Sequence, residues 1–370
     1  MIVGVIILFV VAAFVISLPA WPAFTEWRVG RDKQPLTISD TYAADHHIVA
    51  EAFGKEVGEH LRDAVQMYVA SGGQSGMGHT ALKNHYDIFG PHSKQVPDFQ
   101  NGVLPLVLVR NTLTQWPAKA ILMRQTYVAG AFESGPGARL ERLYVDGDVY
   151  LGEETVVSDW THARRDLRAL AGCELNGSVV AHRMVQIWPG CHFERLSGGE
   201  IRFGDEWHWP EGPVASQHKA QDVPPLFRLN GRAERQGSGH VVAGDLSIPA
   251  SHSWSGDLIV LGKLRLGHDA RIEGSVKAEG AVVLEPGSSV VGQLFSDTSI
   301  EIRSGARVTG TAATEGDLRL RWGAEVGSPK SPSTATGQIV MMEQGARVFG
   351  LVMAVEEGRV AVRTVARIAA

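Results

Sequence analysis

The sequence predicts an all-β fold, a triangular β-helix with about 18 residues per turn, on three observations: a motif that recurs every 18 residues, period-two alternation between its copies, and a glycine excess concentrated at the motif. The copies are Gly287-Ser-Ser-Val290-Val-Gly292, Gly305-Ala-Arg-Val308-Thr-Gly310, Gly323-Ala-Glu-Val326-Gly327 and Gly345-Ala-Arg-Val348-Phe-Gly350. Upstream, Asp269-Ala-Arg-Ile272-Glu-Gly274 fits the same frame with Asp in the first Gly place. The apolar positions 272, 290, 308, 326 and 348 are separated by 18, 18, 18 and 22 residues, the last step being lengthened by a loop at 328–336. An earlier block repeats the frame at Leu140, Val157, Leu175 and Phe193, with Gly172 and Gly190 in the leading place.

Alternation such as Ile300-Glu301-Ile302 and Leu318-Arg319-Leu320 means strand. A strand-rich turn of this length cannot bury its apolar face alone, but stacked copies can. Eighteen residues make about three faces of six, and the copies add up to roughly nine turns, about 40 Å at about 4.8 Å per turn. Gly287, Gly305, Gly323 and Gly345 mark corners, where a sharp bend needs positive φ or leaves no room for a Cβ. The next residue is small in every turn, from Ala138 to Ala346, which makes Cys173 and Cys191 small fillers of one corner column.

In chain order, residues 1–24 read as an uncleaved membrane anchor. Met1–Leu18 carries no charge, and Ile2, Val5, Ile6, Phe9, Val10 and Phe14 supply its apolar bulk, with Trp21 at the interface. Arg28, Arg31 and Lys33 all follow the span, so the body is expected to face the cytoplasm. Residues 25–135 read as a small α-containing region. Its helix is expected over Thr41–Val69, with Ile48, Phe53, Val57, Leu61 and Val65 at spacings of four or five. His46, His47, His60, His79, His85 and His92 lack a compact ligand spacing, so no metal site is expected. The first β-helix block covers 136–204, an excursion from one face covers 205–243, a second block covers 244–362, and 363–370 is a tail. Asp205, Trp207, His208 and Trp209 are read as folding the excursion back onto the prism.

Residues 255–362 resemble the bactofilin family of polymer-forming bacterial cytoskeletal proteins, on the 18-residue turn, the G-A-x-V-x-G corners and the openings Gly256-Asp257-Leu258 and Gly316-Asp317-Leu318. The resemblance implies a right-handed β-helix that stacks end to end without nucleotide and scaffolds cell-envelope or morphogenetic proteins at the inner membrane. Its implied partners are further copies of itself, the inner membrane and cell-envelope proteins. Val360, Val362 and Ile368 offer an apolar stacking end. The alternative is a non-polymerising membrane adaptor that uses the β-helix as a docking surface.

No catalytic residue, cofactor or metal is expected. No paired carboxylates recur at rung distance as a β-helix polysaccharide enzyme would need, and His268, the one histidine of 256–350, has no evident partner for acyl transfer. A net charge of −5 gives no reason to expect nucleic acid.

Overall fold

The computed structural model describes residues 76–79, 85–90, 106–109, 114–204, 233–236 and 239–361. All of them fall in one compact unit, Ala43–Ala370. The expectations for the anchor, for the Thr41–Val69 helix, for the cluster at 205–209 and for the tail lie outside the described residues. Among the described residues every element is a strand, and no helix is long and apolar enough to cross a membrane.

The second coil, residues 239–361, follows the sequence frame closely. Three ladders of parallel strands run along it. One contains Leu258↔Val276↔Leu294↔Ala312, the next Leu264↔Val282↔Ile300↔Leu318, and the third Ile272↔Val290↔Val308↔Val326↔Val348. Three short strands per turn are the three faces of the prism. Because side chains alternate across a strand, Leu264 and Leu266 are buried while Arg265 between them is exposed. Val290, Val308, Val326 and Val348 form a fully buried column, and Ile272 begins it.

One backbone conformation repeats at the corners. Lys119, Gly137, Glu154, Gly172 and Gly190, then Ser251, Asp269, Gly287, Gly305, Gly323 and Gly345, all have φ between 56° and 91°. Glycine enters this left-handed region without steric cost, whereas other residues pay roughly 1 kcal/mol. At nine of these eleven corners the following residue points into the core with no room to spare: Ala138, Thr155, Cys173, Cys191, Ala270, Ser288, Ala306, Ala324 and Ala346 are all 0% exposed, whereas Ala120 and His252, after Lys119 and Ser251, are half-buried.

Lys119 and Ser251 mark turns that glycine does not announce. The solenoid has about 12 turns, not nine, and it starts upstream of residue 136. Leu106–Val109 pairs in parallel with Thr126–Ala129, Ile121–Leu122 with Arg139–Leu140, and Phe132–Glu133 with Val149–Tyr150. The described part of 76–135 is therefore β-structure continuous with the first coil. The coil therefore starts before the expected boundary at 136, which the sequence hid because strands of two to five residues leave too short an alternation to detect; the helix expected within 25–135 lies outside the described residues. Likewise Gly239–Val242 is the first strand of the second coil's parallel ladders, Val241 pairing with Ile259, and not excursion.

The two coils run in opposite axial directions. The last strand of the first coil, His192–Phe203, pairs antiparallel with the last strand of the second, Arg347–Ala361. Two coils of the same hand that advance toward each other meet with antiparallel strands; coils of opposite hand would meet in parallel. The antiparallel register therefore gives both coils the same hand. The chain leaves Gly204 at the junction and re-enters at Ala233, at the far end of the second coil. That distance is six rung steps of about 4.8 Å, about 29 Å. The 28 intervening residues, at roughly 3.3 Å each when extended, reach about 90 Å and span it easily.

Candidate functional site

The junction is the place where the sequence located a stacking end, and it is built on all three faces of the prism. Ile201 and Arg202 lie opposite Val348 and Arg347; Leu196 and Gly198 lie opposite Val352 and Gly350; Phe193 and His192 lie opposite Gly358 and Arg359. Backbone hydrogen bonds seal the corners: Gly190 N–H donates to Val360 O at 2.9 Å, Val360 N–H to Cys191 O at 3.0 Å, and Gly345 N–H to Phe203 O at 2.7 Å. Inside, Phe193, Leu196, Ile201 and Phe203 meet Val348, Val352 and Val360 in one continuous core. The Phe193 ring lies against the Cα of Gly358, so a Cβ there would overlap the ring. Glycine is required at that position by close approach.

Val360 is therefore not a free stacking end. It is buried between Met342 of its own coil and Cys191 of the first coil. The physical reason is that the first coil presents the same unpaired edge as a second copy would, and it is tethered to the same chain. Val362 and Ile368 lie outside the described residues, as do the anchor residues Ile2 to Trp21.

Ion pairs cross and flank this surface. His192 Nδ1 lies 2.7 Å from Glu357 Oε1, and Arg347 bridges Glu325 of its own coil and Glu200 of the first, the latter at 3.9 Å. The hydrogen bond from Arg359, with help from His192, holds the exposed Glu357 carboxyl below the usual glutamate range. Along the second coil an alternating chain runs Arg265, Glu285, Arg303, Glu301, Arg321, Glu343, with contacts from 2.6 to 3.3 Å. Burial alone would raise Glu301, but the hydrogen bond from Arg321 and the charge of Arg303 hold it below its ordinary range. Such half-exposed pairs stabilise by about 0–1 kcal/mol each, so the chain of charges fixes spacing more than it adds stability.

Cys173 and Cys191 sit one above the other, both buried and reduced. The Cys173 thiol donates to Gly152 O and the Cys191 thiol to Leu170 O. The contact with Cys191 and burial push the Cys173 thiol well above the ordinary range. Leu140, Val157, Leu175 and Phe193 are buried core of the first coil, and Gly172 and Gly190 are its corners. His268 is exposed, 3.0 Å from Asp269. Among the described residues no group of three or more His, Cys, Asp or Glu could hold a metal ion.

Sequence reasoning missed the junction partners Gly350 and Gly358 and the buried outward column at Tyr127, Tyr144 and His162. Tyr127 and Tyr144 stack at 5.3 Å, and Tyr144 and His162 at 4.9 Å. Burial, then the charge of Asp146, raises the Tyr127 hydroxyl above its ordinary range. The available signal was the unbroken apolar or aromatic run in Leu143-Tyr144-Val145 and in Val179-Val180-Ala181, which marks strands buried on both faces. No protein-family model, curated protein or solved structure matches this chain.

Proposed function

We propose that the chain is a bactofilin-like scaffold rod, held at the bacterial inner membrane by residues 1–24, which positions cell-envelope proteins as a discrete docking body. One observation carries the choice of a discrete body over an end-stacking polymer. The end that would stack, the Arg347–Ala361 strand, is already paired along its length with His192–Phe203 of the same chain. Tethering gives this internal contact a large advantage over a second copy in free solution. The remaining surface is a rod of regular ladders with charged side chains at fixed rung spacing, which suits display of partners at set intervals.

Polymerisation through the starts of the coils is the second reading, and a specific feature favours it. Among the described residues, Leu246–Ile248 pairs only toward the next turn, and so do Thr114–Gln115 and Ile121–Leu122. Open strand edges recruit other strands. Sedimentation velocity and negative-stain microscopy of the full chain in detergent micelles, across a wide concentration range, test the choice. Discrete particles of constant size are expected, and filaments that lengthen with concentration would establish the polymer instead.

A further inference from the structure

We propose that one face of the second coil is the docking site of a basic amphipathic helix from a partner protein. The proposal rests on the reading of the chain as a docking body and names the chemistry of what docks. The face is the ladder of Asp257–Val260, Val276–Ala278, Leu294–Ser296 and Ala312–Thr314. Leu258, Val276, Leu294 and Ala312 are buried in the core, so the next residue of each strand points outward. The outward column runs Val241, Ile259, Lys277, Phe295, Ala313, Thr336 and Met353, in register from rung to rung. It is apolar apart from Lys277 and Thr336, and the Lys277 ammonium lies 3.7 Å from Asp297 at the corner. Ile259, Leu261, Val291 and Val355 are 37%, 44%, 38% and 69% exposed, the large apolar side chains of the second coil most open to solvent. Ile259 stands in the column, Leu261 and Val291 at the corners that bound the face, and Val355 two residues beyond Met353. An apolar strip gathered on one face marks an interaction surface.

An acidic edge runs along one side of the strip. Leu261, Glu279, Asp297 and Glu315 occupy one corner on successive rungs, each N–H donating to a carbonyl of the rung before at 2.9 to 3.2 Å. Among the described residues Glu279 and Glu315 form no ion pair. On the other two faces the charges are matched within the coil: Arg265 with Glu285, Arg319 with Asp317, Arg271 with Glu273 and Arg307 with Glu325. Unmatched acids beside an apolar strip select a partner with apolar residues flanked by Lys or Arg. The same acids disfavour an anionic lipid surface. Each strand of the ladder already has a neighbour on both sides, so the face offers no edge for an added strand. An occupant therefore lies over it as a second layer, and helices are the usual cover of a parallel sheet. The column from Val241 to Met353 has six rung steps, about 29 Å at about 4.8 Å each, the length of a helix of about 19 residues. Glu279 and Glu315 stand two steps apart, about 10 Å, which matches cations about two helical turns apart.

The test uses the full chain in nanodiscs of zwitterionic lipid, with a synthetic peptide of about 19 residues that puts leucines on one side of a helix and lysines on the other. The photo-cross-linker p-benzoylphenylalanine replaces Phe295 on the proposed face or Val283 on the neighbouring one. Irradiation is expected to join the peptide to position 295 and not to position 283. Glu279→Lys with Glu315→Lys is expected to lower the yield at 295 by about tenfold or more. Glu153→Lys with Glu174→Lys, the same change of charge at exposed positions of the first coil, is expected to leave it unchanged. Equal cross-linking from both positions, equal loss with both charge reversals, or no cross-link at 295 would overturn the proposal. Sedimentation velocity of the same samples reports separately on the docking-body reading. Discrete particles without the cross-link remove this partner alone, and filaments that still cross-link the peptide remove the discrete body alone.

Discussion

The two coils share one 18-residue frame and one hand, yet they treat their outward side chains differently. The second coil is built from strands of two to four residues over most of its length, and strict alternation leaves every other residue toward solvent. Its outward positions carry Arg265, Glu285, Arg303, Glu301, Arg321 and Glu343 as one row of alternating charge. The first coil uses longer strands, up to the 14 residues of Glu174–Ile187, with register shifts between Leu175 and Ser178 and between Ala181 and Met184. On one of its faces three consecutive residues are buried in Leu143-Tyr144-Val145 and in Val179-Val180-Ala181. The comparison teaches that the repeat fixes the coil, while what lies over each face is decided separately, by the outward residues that the repeat leaves free.

Substitutions separate the two regions, the largest effect coming from the regular coil. Val308→Asp places a carboxylate in a fully buried column and is expected to cost more than about 4 kcal/mol, seen as loss of the cooperative thermal transition. An unchanged transition would break the frame described for the second coil. Phe193→Ala opens a cavity at the junction and is expected to cost about 3–5 kcal/mol in denaturant unfolding. A small effect would mean that the coils are less dependent on each other than their common core implies. Gly358→Ala forces a methyl group against the Phe193 ring and is expected to cost about 1–3 kcal/mol. In the first coil, Thr161 Oγ1 is buried without a hydrogen-bond partner among the described residues. Thr161→Val is expected to stabilise by about 1 kcal/mol, measured by the same unfolding curves.

The row of charge gives the second coil a pH dependence of its own. Glu301 titrates below its ordinary range in the folded chain, so it binds fewer protons there than in the unfolded chain. Its contribution is present above the ordinary glutamate range and is lost as the pH falls through its lowered value. Stability at acid pH is therefore expected to decline less steeply in Glu301→Gln than in the parent chain, and parallel declines would remove Glu301 as a contributor.

Much of the fold was legible because the geometric demand and the residue coincide. A left-handed corner followed by a buried small residue selects Gly before a small side chain, as at seven of the nine turns read from the sequence, and the 18-residue spacing placed the other two, at Glu154 and Asp269. Lys119 and Ser251 adopt the same corner conformation without the residue that advertises it, so their turns stayed hidden. The proposed stacking end at Val360 was legible as an apolar edge, and its occupant was not. Nothing in the local pattern of His192–Phe203 states that its partner, Arg347–Ala361, lies so far along the chain and runs the other way.

The sequence by itself determined the 18-residue turn, the three faces, the buried column from Ile272 to Val348 and the corner positions, because each depends on residues one turn apart. Only the tertiary structure decided that the two coils meet end to end, that their strands meet antiparallel, and that outward residues on one face of the first coil are buried. Those features depend on which unpaired edge finds which, and any edge of the same hand and shape satisfies the backbone equally. The choice is made by the tether between Gly204 and Ala233 and by the fit of Phe193 over Gly358, neither of which has a period to read.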